Sequence, residues 1–159
     1  FTTGTTPTTY NPYADITRAQ FAVMIARALE LTPKDSTVDL SDVEGKWYQN
    51  EAQALYEAGI IKGFNDGTFG GEKKLTRQQA ATMMVNMLKY TNMDIEVTED
   101  VQFADIDKIG DHAQDAVKFL ALNGVIVSGE NVKFNPYGNL TRAQMAKMLV
   151  RSLRLTDLY

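Results

Sequence analysis

Arginine stands directly behind a helix-capping threonine three times in this chain, and that recurrence is its main chemical signal. The segments are Ile16-Thr17-Arg18-Ala19-Gln20, Leu75-Thr76-Arg77-Gln78-Gln79 and Leu140-Thr141-Arg142-Ala143-Gln144. Thr followed three residues later by Gln has the spacing of a capping box. In that motif the hydroxyl accepts from the third helical amide, and the Gln carbonyl accepts from the amide of the cap itself. Capping accounts for Thr17/Gln20, Thr76/Gln79 and Thr141/Gln144, but not for Arg18, Arg77 and Arg142. At the first helical position a cation meets the positive end of the helix dipole, where an acid would be more stable. Two readings are open on this physics. One is a structural ion pair with the turn aspartates Asp42 and Asp105. The other is an anion site, in which free amides at the helix start and a guanidinium together hold a carboxylate or phosphate.

The elements that must position these arginines repeat along the chain. Each motif opens an apolar run of helical period: Phe21, Met24, Ile25, Ala28 and Leu29; then Ala80, Met83, Met84, Met87 and Leu88; then Met145, Met148, Leu149, Ser152 and Leu153. These spacings predict amphipathic helices of about four turns. The repeats are offset by 59 and 65 residues, and the register holds upstream of the motif. Phe134 falls on Phe69 and Tyr10, Pro136 on Gly71 and Pro12, and Gly124 on Gly59, which reads as the C-terminal stop of an earlier helix. Before those glycines run the stripes Ala52, Leu55, Tyr56 and Ala113, Ala116, Val117, Leu120. Further back lie Leu40-Ser41-Asp42-Val43 and Phe103-Ala104-Asp105-Ile106. A full unit is thus an Asp-bearing turn, a first helix, a Gly-rich loop and a second helix opened by Thr-Arg. The 59-residue offset aligns Phe1-Thr2-Thr3-Gly4 with Ile60-Ile61-Lys62-Gly63, so the first repeat is expected to lack its turn and first helix. A fragment, or a segment upstream of Phe1, is the expectation that follows.

Composition closes other doors. The 159 residues suffice for one compact domain, and 44% hydrophobic with 23% charged residues is a globular balance. No apolar run reaches the roughly 18 residues of a membrane helix, so no membrane insertion is expected. A net charge of −4 argues against nucleic acid as a partner. The absence of Cys removes disulfides, thiolate metal sites and a Cys nucleophile, and the single His112 leaves little for a Ser-His-Asp arrangement. The linkers, Thr32 to Val38 and Thr91 to Asp100, are too short to separate independent domains. The chain reads as one domain of 1–34, 35–97 and 98–159, a partial repeat followed by two full ones.

Several weaker signals sit in the loops and turns. Gly63-Phe64-Asn65-Asp66-Gly67-Thr68-Phe69 is a turn former with exposed backbone, matched by Gly4-Thr5-Thr6 and Ser128-Gly129-Glu130-Asn131. Glycine there meets a turn requirement, and a Gly-rich rim beside an Arg also builds a shallow sugar or anion groove. Asp105-Ile106-Asp107-Lys108-Ile109-Gly110 has the start of a calcium loop but lacks the oxygen ligand at Ile109 and the Glu that Ala116 replaces. No metal or other cofactor is expected. Trp47 and Tyr48 could stack on a sugar ring or staple the turn to its helix. The seven Met residues, clustered on the second helices, read as core. No acid–base pair for a hydrolase stands out, so the chain is not expected to be an enzyme.

At these residues the chain resembles the S-layer homology family. The signature reads Leu40-Ser41-Asp42-Val43, Trp47, Gly59-Ile60, Gly63, Asp66-Gly67-Thr68-Phe69 and Leu75-Thr76-Arg77. The third unit reads Phe103-Ala104-Asp105-Ile106, Gly124-Val125, Asn135-Pro136 and Leu140-Thr141-Arg142-Ala143-Gln144. The resemblance implies an all-α module of three tandem helix-loop-helix repeats about a pseudo-threefold axis, with the first helices as a central bundle and grooves between neighbouring repeats. It implies noncovalent anchoring of an exported protein at the bacterial cell wall through secondary cell-wall polysaccharide, often carrying a pyruvate ketal on N-acetylmannosamine. Arg18, Arg77 and Arg142 would hold the ketal carboxylate. Asp42, Asp105, Trp47, Gly4, Gly63 and the loop Asn65, Asp66, Gly67 and Thr68 match the groove pattern. The alternative is a protein–protein docking module on the same scaffold without a glycan. The chain departs from the family where Gln replaces the usual Glu in all three motifs, where Ser128 replaces the glycine of Gly63, and where Gly110-Asp111-His112 replaces an aromatic platform. With the first repeat incomplete, the stripes at 52/55/56 and 113/116/117/120 lack a third partner. Neighbouring copies or an upstream helix are expected to cover them, which makes self-association a possible partner interaction.

Overall fold

The computed structural model describes residues 11–35 and 39–158. Among them the chain forms α1 (Arg18–Ala28), α2 (Gln49–Glu57), α3 (Arg77–Tyr90), a 3₁₀ turn (Ile106–Lys108), α4 (Asp111–Leu122) and α5 (Arg142–Leu153). The only β pairings among the described residues are isolated bridges, so the domain is all-α as expected.

The motif threonines start their helices as predicted. Thr17, Thr76 and Thr141 are N-caps with reciprocal Gln20, Gln79 and Gln144 partners, and all three capping boxes are complete. The first helices end as Gly59 and Gly124 foretell. Each glycine is left-handed, with φ +75° and +73°. Gly59 N donates to Tyr56 O and Ile60 N to Leu55 O; Gly124 N donates to Ala121 O and Val125 N to Leu120 O. This paired closure is the Schellman motif, and it satisfies two carbonyls that a helix end otherwise leaves open. The second helices α1 and α3 end with the same bonds, but with Glu30 and Asn92 at the left-handed position, φ +54° and +64°.

The residue before each Thr joins the three repeats. Ile16 N donates to Leu140 O at 2.8 Å, Leu140 N to Leu75 O at 2.9 Å, and Leu75 N to Ile16 O at 2.9 Å. The bonds close a ring in which every repeat gives one amide and receives one. Ile16, Leu75 and Leu140 are wholly buried, so the ring lies in the core. Water cannot substitute for these bonds there, and their loss would strand polar groups.

Helix packing differs from the expected bundle of first helices. The main contacts are α2 on α1, α4 on α3, and α3 on α5. Each first helix therefore lies against the second helix of the preceding repeat, and α2 with α4 is not among the main packings. That arrangement also corrects the expectation of uncovered stripes. Ala52, Leu55, Ala113, Ala116, Val117 and Leu120 are all buried within this chain, and only Tyr56 reaches solvent. No apolar stripe is left there for a second copy to cover. The amphipathic reading holds for α5, which buries Met145, Met148, Leu149, Ser152 and Leu153. It is too narrow for α1 and α3. Phe21 to Ala26 are buried without a break, and α3 buries Ala81 and Val85 beside its expected stripe because it packs against both α4 and α5.

Candidate ligand-binding grooves

Two of the motif arginines, Arg18 and Arg77, reach across to a loop of the next repeat. Arg18 Nε donates to Phe69 O at 3.0 Å, and Arg77 Nε donates to Phe134 O at 2.6 Å. The amide of the same phenylalanine is held from the other side by the turn aspartate. Phe69 N and Gly70 N donate to the two oxygens of Asp42 at 2.7 and 2.8 Å; Phe134 N and Asn135 N donate to those of Asp105 at 2.8 and 2.9 Å. Two consecutive amides can face one carboxylate because Gly70 and Asn135 are left-handed, with φ +69° and +59°. Asp and Arg thus bracket one peptide residue and make no direct ion pair, which corrects the ion-pair reading. The ion pairs among the described residues are Lys46–Glu72, Lys74–Asp15 and Lys118–Asp100.

The expected free amides at the helix starts are also absent. Arg18 N donates to Lys73 O and Ala19 N to Gly71 O, while Gln20 N goes to Thr17 Oγ1. The pattern recurs at Arg77 and Gln78, which donate to Gly138 O and Pro136 O, and at Arg142 and Ala143, which donate to Ala14 O and Pro12 O. Any anion must therefore be held by side chains rather than by helix amides.

The guanidinium groups retain that capacity. Nε makes the only side-chain hydrogen bond of Arg18 and of Arg77 among the described residues. The single wholly buried side-chain polar atom without a partner among those residues is Ser152 Oγ, so the Nη groups of both arginines reach accessible space. Arg18 is only 8% exposed, sandwiched with its Cζ 5.0 Å from the Phe64 ring centre and 5.2 Å from that of Phe69. Arg77 stands 5.2 Å from the Phe134 ring centre. Burial pushes both guanidinium groups below their usual value, with Asp42 and Asp105 respectively pushing back. Both stay charged at neutral pH, since arginine starts far above it. Arg142 is buried, only 6% exposed, and is not without a partner.

Beside Arg18 lies a groove of about 490 Å³, walled by the stretch from Ile60 to Phe64 and by Gln79, Thr82, Met83 and Asn86 of α3, with His112 at its rim. Beside Arg77 lies the counterpart, about 260 Å³, walled by Val125 to Val127 and by Gln144, Lys147, Met148 and Arg151 of α5. Neither lining contains a carboxylate. Gln at the third helical position, where the family usually has Glu, is one reason.

Of the residues expected in the groove, Arg18, Arg77 and Gly63 line these cavities. Gly63 answers a packing need: a Cβ there would come within 2.8 Å of Thr68 O and 2.9 Å of a Leu40 methyl, at φ +77°. Asp42 and Asp105 lie behind the grooves, on the loop amides. Asn65, Asp66, Gly67 and Thr68 fall outside the lining; Asp66 Oδ1 accepts from Thr68 N and Oγ1, and Gly67 O accepts from Ser41 N. Trp47 also lies outside, 64% exposed and edge-on to Tyr48 with ring centres 5.2 Å apart. Gly4 lies outside the described residues, as does the wall that Phe1 to Gly4 would give Arg142.

Thr82 and Asn86 on one side, and Lys133, Lys147 and Arg151 on the other, complete the grooves and were not singled out in the sequence; Lys62, Phe64 and His112, noted there but not as site residues, also line the first. Thr82 and Asn86, and Lys147 and Arg151, are four apart, so each pair shares a helix face with its capping Gln. That polar face, continued from the motif, was the available signal.

The described residues thus form helical repeats with arginine-bearing, acid-free grooves at two of their junctions. The family model for the S-layer homology domain matches residues 39–81 and 102–146, more than half of the chain, and the chain belongs to that family. It is 35% identical over 148 residues to an endoglucanase of Bacillus sp. (strain KSM-635), covering 92% of this chain and 16% of that protein. It is 30% identical over 153 residues to the surface-layer 125 kDa protein of Lysinibacillus sphaericus, covering 93% and 12%. A cellulosome-anchoring protein of Acetivibrio thermocellus is 29% identical over 149 residues, covering 91% of this chain and 33% of that one. The chain spans a third or less of the length of these relatives.

Proposed function

We propose that the chain anchors an exported bacterial protein to the cell wall, by holding acidic sugars of a secondary cell-wall polysaccharide in the grooves beside Arg18 and Arg77. Membership in the family makes the chain a cell-surface module. Its relatives are named as a glycanase, a surface-layer protein and an anchoring protein, and what they share with this chain is the module. A common anchoring role fits that set better than a common reaction. The observation that carries the ligand reading is that the buried Arg18 and the half-buried Arg77 keep Nη donors that are accessible and without a partner among the described residues, and that both line grooves containing no acid. A carboxylate, such as a pyruvate ketal, entering there gains charge-assisted hydrogen bonds in a partly desolvated site. Phe64, which lines the Arg18 groove and is partly exposed, offers apolar surface to a sugar ring. Arg142 is assigned the same role at the third junction, and segments 1–34, 35–97 and 98–159 act as one module. No membrane contact is invoked, and among the described residues no helix is long and apolar enough to cross a membrane.

Cosedimentation with purified wall sacculi tests this reading. The chain should sediment with intact sacculi and stay in solution once the polysaccharide has been chemically stripped. Retained binding to bare peptidoglycan, or none to either preparation, overturns it, and the second outcome favours docking to a protein.

A further inference from the structure

The two grooves share a frame but not a charge. Asn86 Nδ2 donates to Ile60 O at 3.1 Å, and at the matching positions Arg151 Nη1 donates to Val125 O at 3.3 Å. The same tie between second helix and loop is thus made once by a neutral amide and once by a cation. One turn earlier, Thr82 faces the Arg18 groove, while its counterpart Lys147 faces the Arg77 groove. Lys133 adds a further cation to the latter, so Arg77, Lys133, Lys147 and Arg151 converge on one small cavity.

That convergence is unfavourable by itself. Lys147 and Arg151 are four apart on one helix face, an arrangement in which like charges repel. No carboxylate lines the cavity, and the ion pairs among the described residues draw on none of its four cations. Its floor is apolar, with Val125, Ile126 and Met148 buried; Asp105, behind the groove, acts on Arg77, but the lining itself offers the four cations no counter-charge. A helix needing only solubility would have intermixed acids at these positions. The Arg18 groove, by contrast, has a hydroxyl, amides and the Phe64 ring around its arginine, and its lining holds one further lysine, Lys62, with His112, against the three further cations of the Arg77 groove.

We infer that the Arg77 groove is a polyanion site, taking a group with two or more negative charges (a phosphate or neighbouring carboxylates), while the Arg18 groove takes a sugar with at most one. The inference rests on the reading of the grooves as glycan sites and assigns them different chemistry. One module would then recognise two features of a wall polymer at once, which raises avidity without any new contact.

The test titrates the 159-residue chain with inorganic pyrophosphate, malonate and acetate, and follows backbone amide resonances by NMR. Pyrophosphate should shift the amides of Val125 to Val127 and Lys147 at about tenfold lower concentration than those of Ile60 to Phe64 and Thr82, and the preference should shrink as salt rises. Acetate should show no preference. A malonate response at the same amides assigns the site to paired acids in general, and its absence assigns it to phosphate. The double variant Lys147→Thr, Arg151→Asn copies the matching residues of the second repeat, and its new Asn can remake the tie to Val125 O. It should unfold at the wild-type temperature and lose the pyrophosphate preference. Equal shifts in both grooves, shifts in neither, or an unchanged preference in the double variant overturn the inference. If the chain fails to sediment with sacculi while pyrophosphate still selects the Arg77 groove, the anchoring reading falls and the charge assignment stands. If it sediments without that selection, the reverse holds.

Discussion

A peptide residue bracketed by Asp on its amide and Arg on its carbonyl does two jobs at once, since it fixes the loop of one repeat and aims the arginine of another. The carboxylate half is buried and testable. Burial alone would raise the Asp105 carboxyl, but the amides of Phe134 and Asn135, its own amide and nearby Lys108 together outweigh it, and the carboxyl sits below the usual value. A carboxyl depressed on folding contributes stability above its unfolded value of about 3.9, and that contribution is lost as pH falls through the lower folded value. Asp105→Asn should therefore cost about 2 kcal/mol at pH 7, and urea unfolding repeated at descending pH should show the gap to wild type closing below pH ~4. A gap that persists in strong acid would assign the cost to packing. The capping glutamines permit the complementary experiment. Gln79→Glu keeps a side-chain acceptor for Thr76 N but sets a negative charge in the Arg18 groove. Thermal stability should change by less than about 0.5 kcal/mol, while sedimentation with sacculi should weaken by about tenfold through like-charge repulsion. Thr17/Gln20 and its copies were legible in the sequence because a capping box is local, three residues wide and built from two diagnostic side chains. The partner of Arg18 was not, because it is a backbone carbonyl 51 residues away, and a carbonyl carries no residue type.

Helix ends were legible for the same reason where glycine marks them, as at Gly59 and Gly124. Glu30 closes α1 with the same bonds in the same left-handed conformation, yet its side chain gives no hint of it. A Cβ in that region crowds the following carbonyl, so Glu30→Gly should raise stability by about 1 kcal/mol despite the added freedom of the unfolded chain. Glu30 is exposed, so differential scanning calorimetry should read the backbone effect with little loss of packing; a fall in melting temperature would mean that the side chain makes a contribution larger than the strain. The stripes of α2 and α4 were likewise visible as periodicity. Periodicity names the face that is buried but not the neighbour that buries it, which is why Ala52 and Leu55 were assigned to a bundle of first helices and are instead covered by the second helix of the repeat before. The groove face of α5 escaped notice for a related reason. Lys147 and Arg151 on an exposed helix face look like solubilising charges until the loop of Val125 to Val127 is placed across from them.

At the scale of the molecule, the ring of Ile16, Leu75 and Leu140 makes the repeats unlike those of an open solenoid. In a solenoid each unit touches only its neighbours, and the ends can fray. Here the third repeat returns to the first: Ile16 N donates to Leu140 O, and Arg142 N and Ala143 N donate to Ala14 O and Pro12 O. No repeat can leave without breaking the bonds of two others, and the broken groups would be stranded in a core that admits no water. The grooves depend on that closure, since each is assembled from the arginine of one repeat and the loop and helix of the next. Native-state hydrogen exchange should therefore find the amides of Ile16, Leu75 and Leu140 opening together, with a protection free energy equal to that of global unfolding in urea. If the repeats were instead independent, the three amides would separate into different classes, and one repeat would exchange well before the chain unfolds. A ring that opens only globally would also hold its arginines in place when one groove is occupied or empty, so ligand in the Arg77 groove should leave the exchange order of these three amides unchanged and slow all of them alike.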